Sequence, residues 1–159
     1  MEGPLFVLTL LTALGCGLVA GALFAFSGFV MKALGRLPAA QGIAAMQSIN
    51  VVAVTPAFMT ALFGTAAACL ALVVWVLLSP DGNSPGLVIA GAVAYLAGVV
   101  GVTGTRNVPM NNRLAAIGAE DAGAAALWDE YLRRWTAWNH VRVATSLAAA
   151  AALTVALTL

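Results

Sequence analysis

The residues best suited to chemistry lie in one run, Trp135-Thr136-Ala137-Trp138-Asn139-His140-Val141-Arg142. His140 is the single histidine of the chain, and an imidazole exchanges protons near neutral pH. Asn139 and Arg142 supply hydrogen-bond donors for an oxyanion that develops beside such a base. Trp135 and Trp138 offer flat faces on which an aromatic ring can stack. On a helix, Tyr131, Trp135, Trp138, Asn139 and Arg142 share one broad face, at steps of three and four. His140 lies beside that face, near Thr136 and Val143. His140, Asn139 and Arg142 are the candidate catalytic residues. The competing reading is an aromatic belt at a membrane surface with a snorkelling arginine.

A second constellation is Arg106-Asn107-Val108-Pro109-Met110-Asn111-Asn112-Arg113. Pro109 is expected to break or restart the helix there, freeing backbone carbonyls that need partners. Asn107 and Asn111 share a face if the helix runs on, and with Arg106 they form a rim of amide and guanidinium donors. Helix capping is the plainer role for these asparagines. A third group is Gln47 and Asn50, one turn apart, with Ser27 upstream; interhelical hydrogen bonding is its plainer role. The candidate binding set is therefore Asn107, Asn111, Arg106, Gln47, Asn50, Trp135 and Trp138.

Other chemistries find little support. One histidine, no HxxxH pair and no carboxylate inside an apolar stretch leave no metal-ligand set of four. A di-iron bundle needs several inward carboxylates and histidines. No GxGxxG or Walker sequence is present. Cys16 and Cys69 lie in apolar stretches without a CxxC, and read as buried thiols that pack as small hydrophobes. No cofactor is expected.

These groups must be held by membrane helices. The 159 residues are 62% hydrophobic and 8% charged, against about 25% charged in soluble domains. That much apolar surface exceeds what a core of this length can hide. Four stretches are long enough to span a bilayer: 5–31, 51–78, 87–105 and 138–159. The first is too long for a signal-peptide core and is expected to remain as a span. Amphipathic helices are expected near 39–54 and 119–137. Thr55-Pro56 reads as an N-cap followed by proline at the first helical position, so 39–54 is either a separate helix or the first part of a helix kinked at Pro56. Ser79–Pro85 reads as a turn-rich loop. Gly17 and Gly21 in the first span, and Gly91, Ala94, Gly98 and Gly101 in the third, allow close helix approach.

The fold expected is all-α, a transmembrane four-helix bundle in a single domain, with one polar end built from the first and third connections. All seven Lys and Arg residues fall in or beside those two connections. The positive-inside rule then places them in the cytoplasm and both termini outside, in a bacterial inner membrane. Polarity at one end favours a pocket opening to one face over a pore. No basic stripe indicates nucleic acid. The partners expected are a lipophilic small molecule and membrane lipid, and a homo-oligomer is compatible with the pattern.

The order Phe24-Ala25-Phe26-Ser27, Leu37-Pro38, Gly42-Ile43, Met46-Gln47-Ser48-Ile49-Asn50, Gly64-Thr65, Asn107-Val108-Pro109-Met110-Asn111 and Trp135 to Arg142 resembles the DUF1772, or anthrone oxygenase-like, membrane proteins. The resemblance spans nearly the whole chain and is most specific in the NVPxN and WxxWNHVR blocks. Met110 stands where leucine is more usual. The resemblance implies four transmembrane helices. It also implies kinship with fungal enzymes that oxidise anthrones to anthraquinones with molecular oxygen as co-substrate and no known cofactor. It supplies no catalytic residue. The reading that follows is a cofactor-independent oxygenase of a phenolic or anthrone-like substrate, with His140 as base. The alternative is a non-enzymatic membrane protein that binds a quinone, a lipid or a partner membrane protein.

Overall fold

The computed structural model describes residues 3–79 and 84–159. Five helices account for almost all of them: α1 (Gly3–Leu34), α2 (Ala39–Val52), α3 (Pro56–Leu78), α4 (Pro85–Ala115) and α5 (Ala124–Thr158). α1, α3 and α4 are each long and apolar enough to cross a bilayer. α5 has 35 residues, about 52 Å at 1.5 Å per residue, well beyond the ~30 Å of a hydrocarbon core. Its apolar part, from Val143 on, runs beside α1 and α4, and its charged N-terminal part packs on the ends of those helices and on α2. The expected amphipathic helix near 119–137 and the fourth span are thus one continuous helix. The middle of the expected Ser79–Pro85 turn, 80–83, lies outside the described residues.

The four long helices form an up-and-down bundle. α5 packs against α1 and α4, α3 packs against the same two from the other side, and each neighbouring pair is antiparallel. Glycines mark the closest approaches. A Cβ on Gly98 would overlap Thr145, one on Gly15 would overlap Thr65, and one on Gly91 would lie 3.1 Å from Leu153. The Gly17 and Gly21 pair, expected to serve such packing, instead faces outward with nothing opposite. Its contact role falls to Gly15, two residues earlier, on the face turned to α3.

The first connection contains a helix distinct from α3. Thr55 caps α3, accepting a hydrogen bond from the Phe58 amide at 3.4 Å, with Pro56 at the first helical position. The chain breaks at Ala53–Thr55 because proline cannot donate to a helix continuing from α2. α2 is fixed to the bundle by Gln47, whose Nε2 donates to the carbonyls of Leu114 (2.8 Å) and Ile117 (3.0 Å) where α4 ends. The Leu114 carbonyl is among the last of the helix, which lack intrahelical partners, and Ile117 follows just beyond its end. Trp128 of α5 lies over Gly42 of α2, where a Cβ would meet the indole at 2.8 Å.

Two apolar clusters result. One fills the bundle from Ala13 to Leu23, with Leu62, Leu72, Tyr95, Val99 and Leu153. The other lies at the basic end and joins Met31, Ile43, Met46, Leu114, Trp128, Tyr131 and Trp135. The candidate site occupies the seam between them.

Candidate functional site

Helix geometry at the seam is irregular in a consistent way. The backbone hydrogen bonds widen to the i→i+5 register over Phe26–Val30 in α1, Thr60–Gly64 in α3, and Leu96–Gly101 and Thr103–Asn107 in α4. Each widening adds a residue to a turn and re-aims the side chains around it. Phe26, Leu62, Phe63, Thr103 and Asn107 belong to these segments, and all five line one cavity of about 600 Å³. That volume lies within the ~300–1,000 Å³ of small-molecule sites. Pro109 does not interrupt α4, contrary to expectation. The wide turn at Thr103–Asn107 lies just N-terminal to it, where the proline ring would otherwise meet a carbonyl one turn back.

The wall is mostly apolar and partly aromatic: Leu23 and Phe26 from α1, Met46 and Ile49 from α2, Phe58, Met59, Leu62 and Phe63 from α3, Val108 from α4 and Trp135 from α5. The exposed members of the lining, Ser48, Val52, Val54, Phe63 and Val108, mark the mouth, which is apolar except at Ser48. α3 and α4 pack together along Thr65–Leu78 and Pro85–Tyr95 and part beyond the bond from the Tyr95 hydroxyl to the Leu62 carbonyl, 3.0 Å. The mouth therefore lies on the flank of the bundle, between α3 and α4 beneath α2, with a mostly apolar rim.

Polar groups enter at few points. Arg142 is 5% exposed and lines the cavity. Its Nη1 donates to Asn139 Oδ1 at 3.2 Å, and its Nε is buried without a partner. Among the described residues the ion pairs are Glu130–Arg113 and Glu130–Arg134, both on the surface, so no carboxylate neutralises Arg142. Asn107 is 1% exposed; its Nδ2 donates to the Trp135 carbonyl at 3.4 Å and its Oδ1 has no partner. Asn111 Oδ1 accepts from the Tyr131 hydroxyl (2.8 Å) and Trp135 Nε1 (2.9 Å), which fixes both rings. Asn50 sits at the same end, beside the Tyr131 hydroxyl.

Asn139 does not line the cavity. Its amide donates to the Leu23 carbonyl at 2.7 Å and to Ser27 Oγ at 2.5 Å, while its Oδ1 holds Arg142. It acts as a positioning residue, joining α5 to α1 and aiming the guanidinium. Ser146, two turns further, repeats the link with a bond to the Cys16 carbonyl at 2.8 Å.

The largest correction concerns His140. It is exposed on the outer side of α5 and does not line the cavity. Trp135, Asn139, Arg142 and Ser146 follow steps of four, three and four and stay on one buried stripe. His140 follows Asn139 directly and so stands roughly 100° away from it on the helix. Arg106 and Trp138 also lie outside the lining. They pair with each other, the guanidinium carbon 4.8 Å from the indole centroid, a cation–π contact. Gln47 is spent on the end of α4. Of the expected residues the structure thus brings together Arg142, Asn107, Asn111, Asn50 and Trp135, with Asn139 behind them. Phe26, Phe58, Phe63 and Thr103 complete the site and were not expected; the alternation of aromatic and small residues in their stretches carries no chemical signal.

The described residues form a membrane-type helical bundle that encloses a mostly apolar chamber, with the buried Arg142 guanidinium in its wall. The family model described as anthrone oxygenase matches residues 56–152, and the chain belongs to the anthrone oxygenase (DUF1772) family. The match covers α3, α4 and most of α5, hence Asn107, Asn111, Trp135, Asn139 and Arg142. No curated protein and no solved structure matches the chain.

Proposed function

We propose that the protein is a membrane-embedded oxygenase that converts an anthrone-like substrate to the quinone with O₂ and no resident cofactor. The observation that carries this reading is Arg142, a buried guanidinium with no counter-charge among the described residues, in the wall of an apolar, aromatic-lined cavity. An anthrone becomes reactive toward O₂ once the carbon between its rings loses a proton. The enolate oxygen then sits against Arg142, whose charge stabilises it in a medium where such interactions are strong. The proton passes to a water molecule at the α2 edge of the cavity, beside the exposed Ser48, since the lining offers amides, hydroxyls and a guanidinium but no base of neutral pKa.

The enolate gives one electron to O₂, and the radical pair joins as a carbon–oxygen bond. The peroxide takes up a proton. Loss of water, with the remaining C–H proton and the outer oxygen departing together, leaves the second carbonyl. One O₂ is consumed and one water formed per quinone. A donor set without His, Cys or carboxylate lining the cavity supports the cofactor-free form of this scheme. In this proposal the basic end, with the first and third connections, faces the cytoplasm of a bacterial inner membrane, and the apolar mouth receives substrate from lipid.

The same missing base favours a second reading, a binding protein for a quinone or related lipophile that performs no chemistry. Oxygen uptake by the purified protein with an anthrone separates the two. The oxygenase reading expects one O₂ per anthraquinone, above the rate in empty nanodiscs. A rate equal to the empty control, with the anthrone bound, selects the binder.

A further inference from the structure

We infer that the cavity binds its occupant as an anion: a flat aromatic phenolate or enolate whose oxygen pairs with Arg142. This rests on the cavity being the working site, as in the proposed function, but not on oxygen chemistry. A lone buried charge is costly even after the surroundings relax. Proteins normally meet that cost with a carboxylate or neutralise the group. A guanidinium stays protonated in nearly all settings, so here the compensating charge must come from elsewhere.

The surroundings of Arg142 hold no such charge. From α1 come Ser27 and the Leu23 carbonyl, both engaged by Asn139. From α3 comes the Leu62 carbonyl, which accepts from Tyr95. From α4 come Tyr95, whose hydroxyl is thereby occupied, and Asn107. Beyond Tyr95 lies Cys16 of α1. Only Asn139 Oδ1 bonds the guanidinium, and its Nε stays open. The shape of the site adds the rest. Trp135 and Phe26 have ring centroids 6.0 Å apart, inclined at 53°, and Phe58 and Phe63 stand across the chamber. Such walls suit a flat ring over an alkyl chain.

The test uses the full chain in phosphatidylcholine nanodiscs with 1,8-dihydroxyanthraquinone, whose visible spectrum reports ionisation of its phenol. This dye is already a quinone, so the readout involves no turnover. The bound dye is expected to ionise at a pH at least about one unit lower than in empty nanodiscs, a roughly tenfold preference for the anion. Arg142→Met should still bind the neutral dye but lose the shift, and Arg142→Lys should keep part of it. Ionisation at the same pH as in empty nanodiscs, or later, overturns the inference on the wild-type protein alone, whether or not the variants fold. So does an unchanged shift in Arg142→Met. Displacement of the dye by oleate at lower concentration than by 1-naphthol overturns the aromatic assignment. A failure here leaves the oxygen-uptake result standing, and the reverse also holds.

Discussion

At the scale of single residues, the site rests on how Arg142 is held rather than on a titrating group. Asn139 fixes the guanidinium from behind, and the remaining donor geometry opens into the cavity. His140 drew attention because imidazole is the side chain whose ordinary pKa suits proton transfer. Its angle on the helix decides otherwise: it stands roughly 100° from Asn139, on the exposed side of α5. Helical period alone places Tyr131, Trp135, Asn139 and Arg142 on one face; it also places Trp138 there, which the structure sets outside the lining, and does not reach Ser146. The isolation of Arg142 was not legible, because the sequence does not say which carboxylates reach it. His140→Ala is expected to leave the anthrone-dependent rate within about twofold of wild type, as for surface changes away from structural features. A rate reduced a hundredfold in a normally folded His140→Ala protein would return the base to that residue.

At the scale of elements, four long helices and their order follow from apolar length, and the Thr55-Pro56 start of α3 follows from capping chemistry. The wide turns do not. They have no composition signature, and they are what brings Phe26, Phe63, Thr103 and Asn107 to one chamber. Pro109 was read as a stop because proline usually ends a helix; the wide turn before it lets α4 continue to Ala115, so that Asn111 stays on the Asn107 face. α2 roofs the chamber and depends on two attachments, Gln47 at the end of α4 and Gly42 under Trp128. Gly42→Ala places a methyl 2.8 Å from the indole, an overpacking that costs about 1–3 kcal/mol. The expected result is a lower thermal midpoint in detergent, with weaker retention of a bound lipophile. An unchanged midpoint would mean that Trp128 does not hold α2.

At the scale of the whole molecule, charge and chamber coincide. The basic residues cluster at the end where α2 and the N-terminal part of α5 cover the bundle, and the chamber lies just beneath that cover. The Glu130 bonds to Arg134 at 2.7 Å and Arg113 at 3.3 Å join α5 to the end of α4 on this side. Arg134, and then the charge of Arg113, hold the Glu130 carboxyl below its usual range. The opposite half of the bundle is packed apolar side chains, with Tyr95 and Leu62 closing the floor. In the proposed function a lipophile enters on the flank and stops against Arg142. The most direct measurement of the central claim is the rate of oxygen uptake with an anthrone by Arg142→Met, beside wild type, in the same nanodiscs. Removing one donor to a developing oxyanion costs about 10²–10³ in rate, while the relief of a lone buried charge offsets the lost bond to Asn139. A loss of that size is expected, with a thermal midpoint close to that of the wild type. Wild-type rate in the folded variant would contradict that claim.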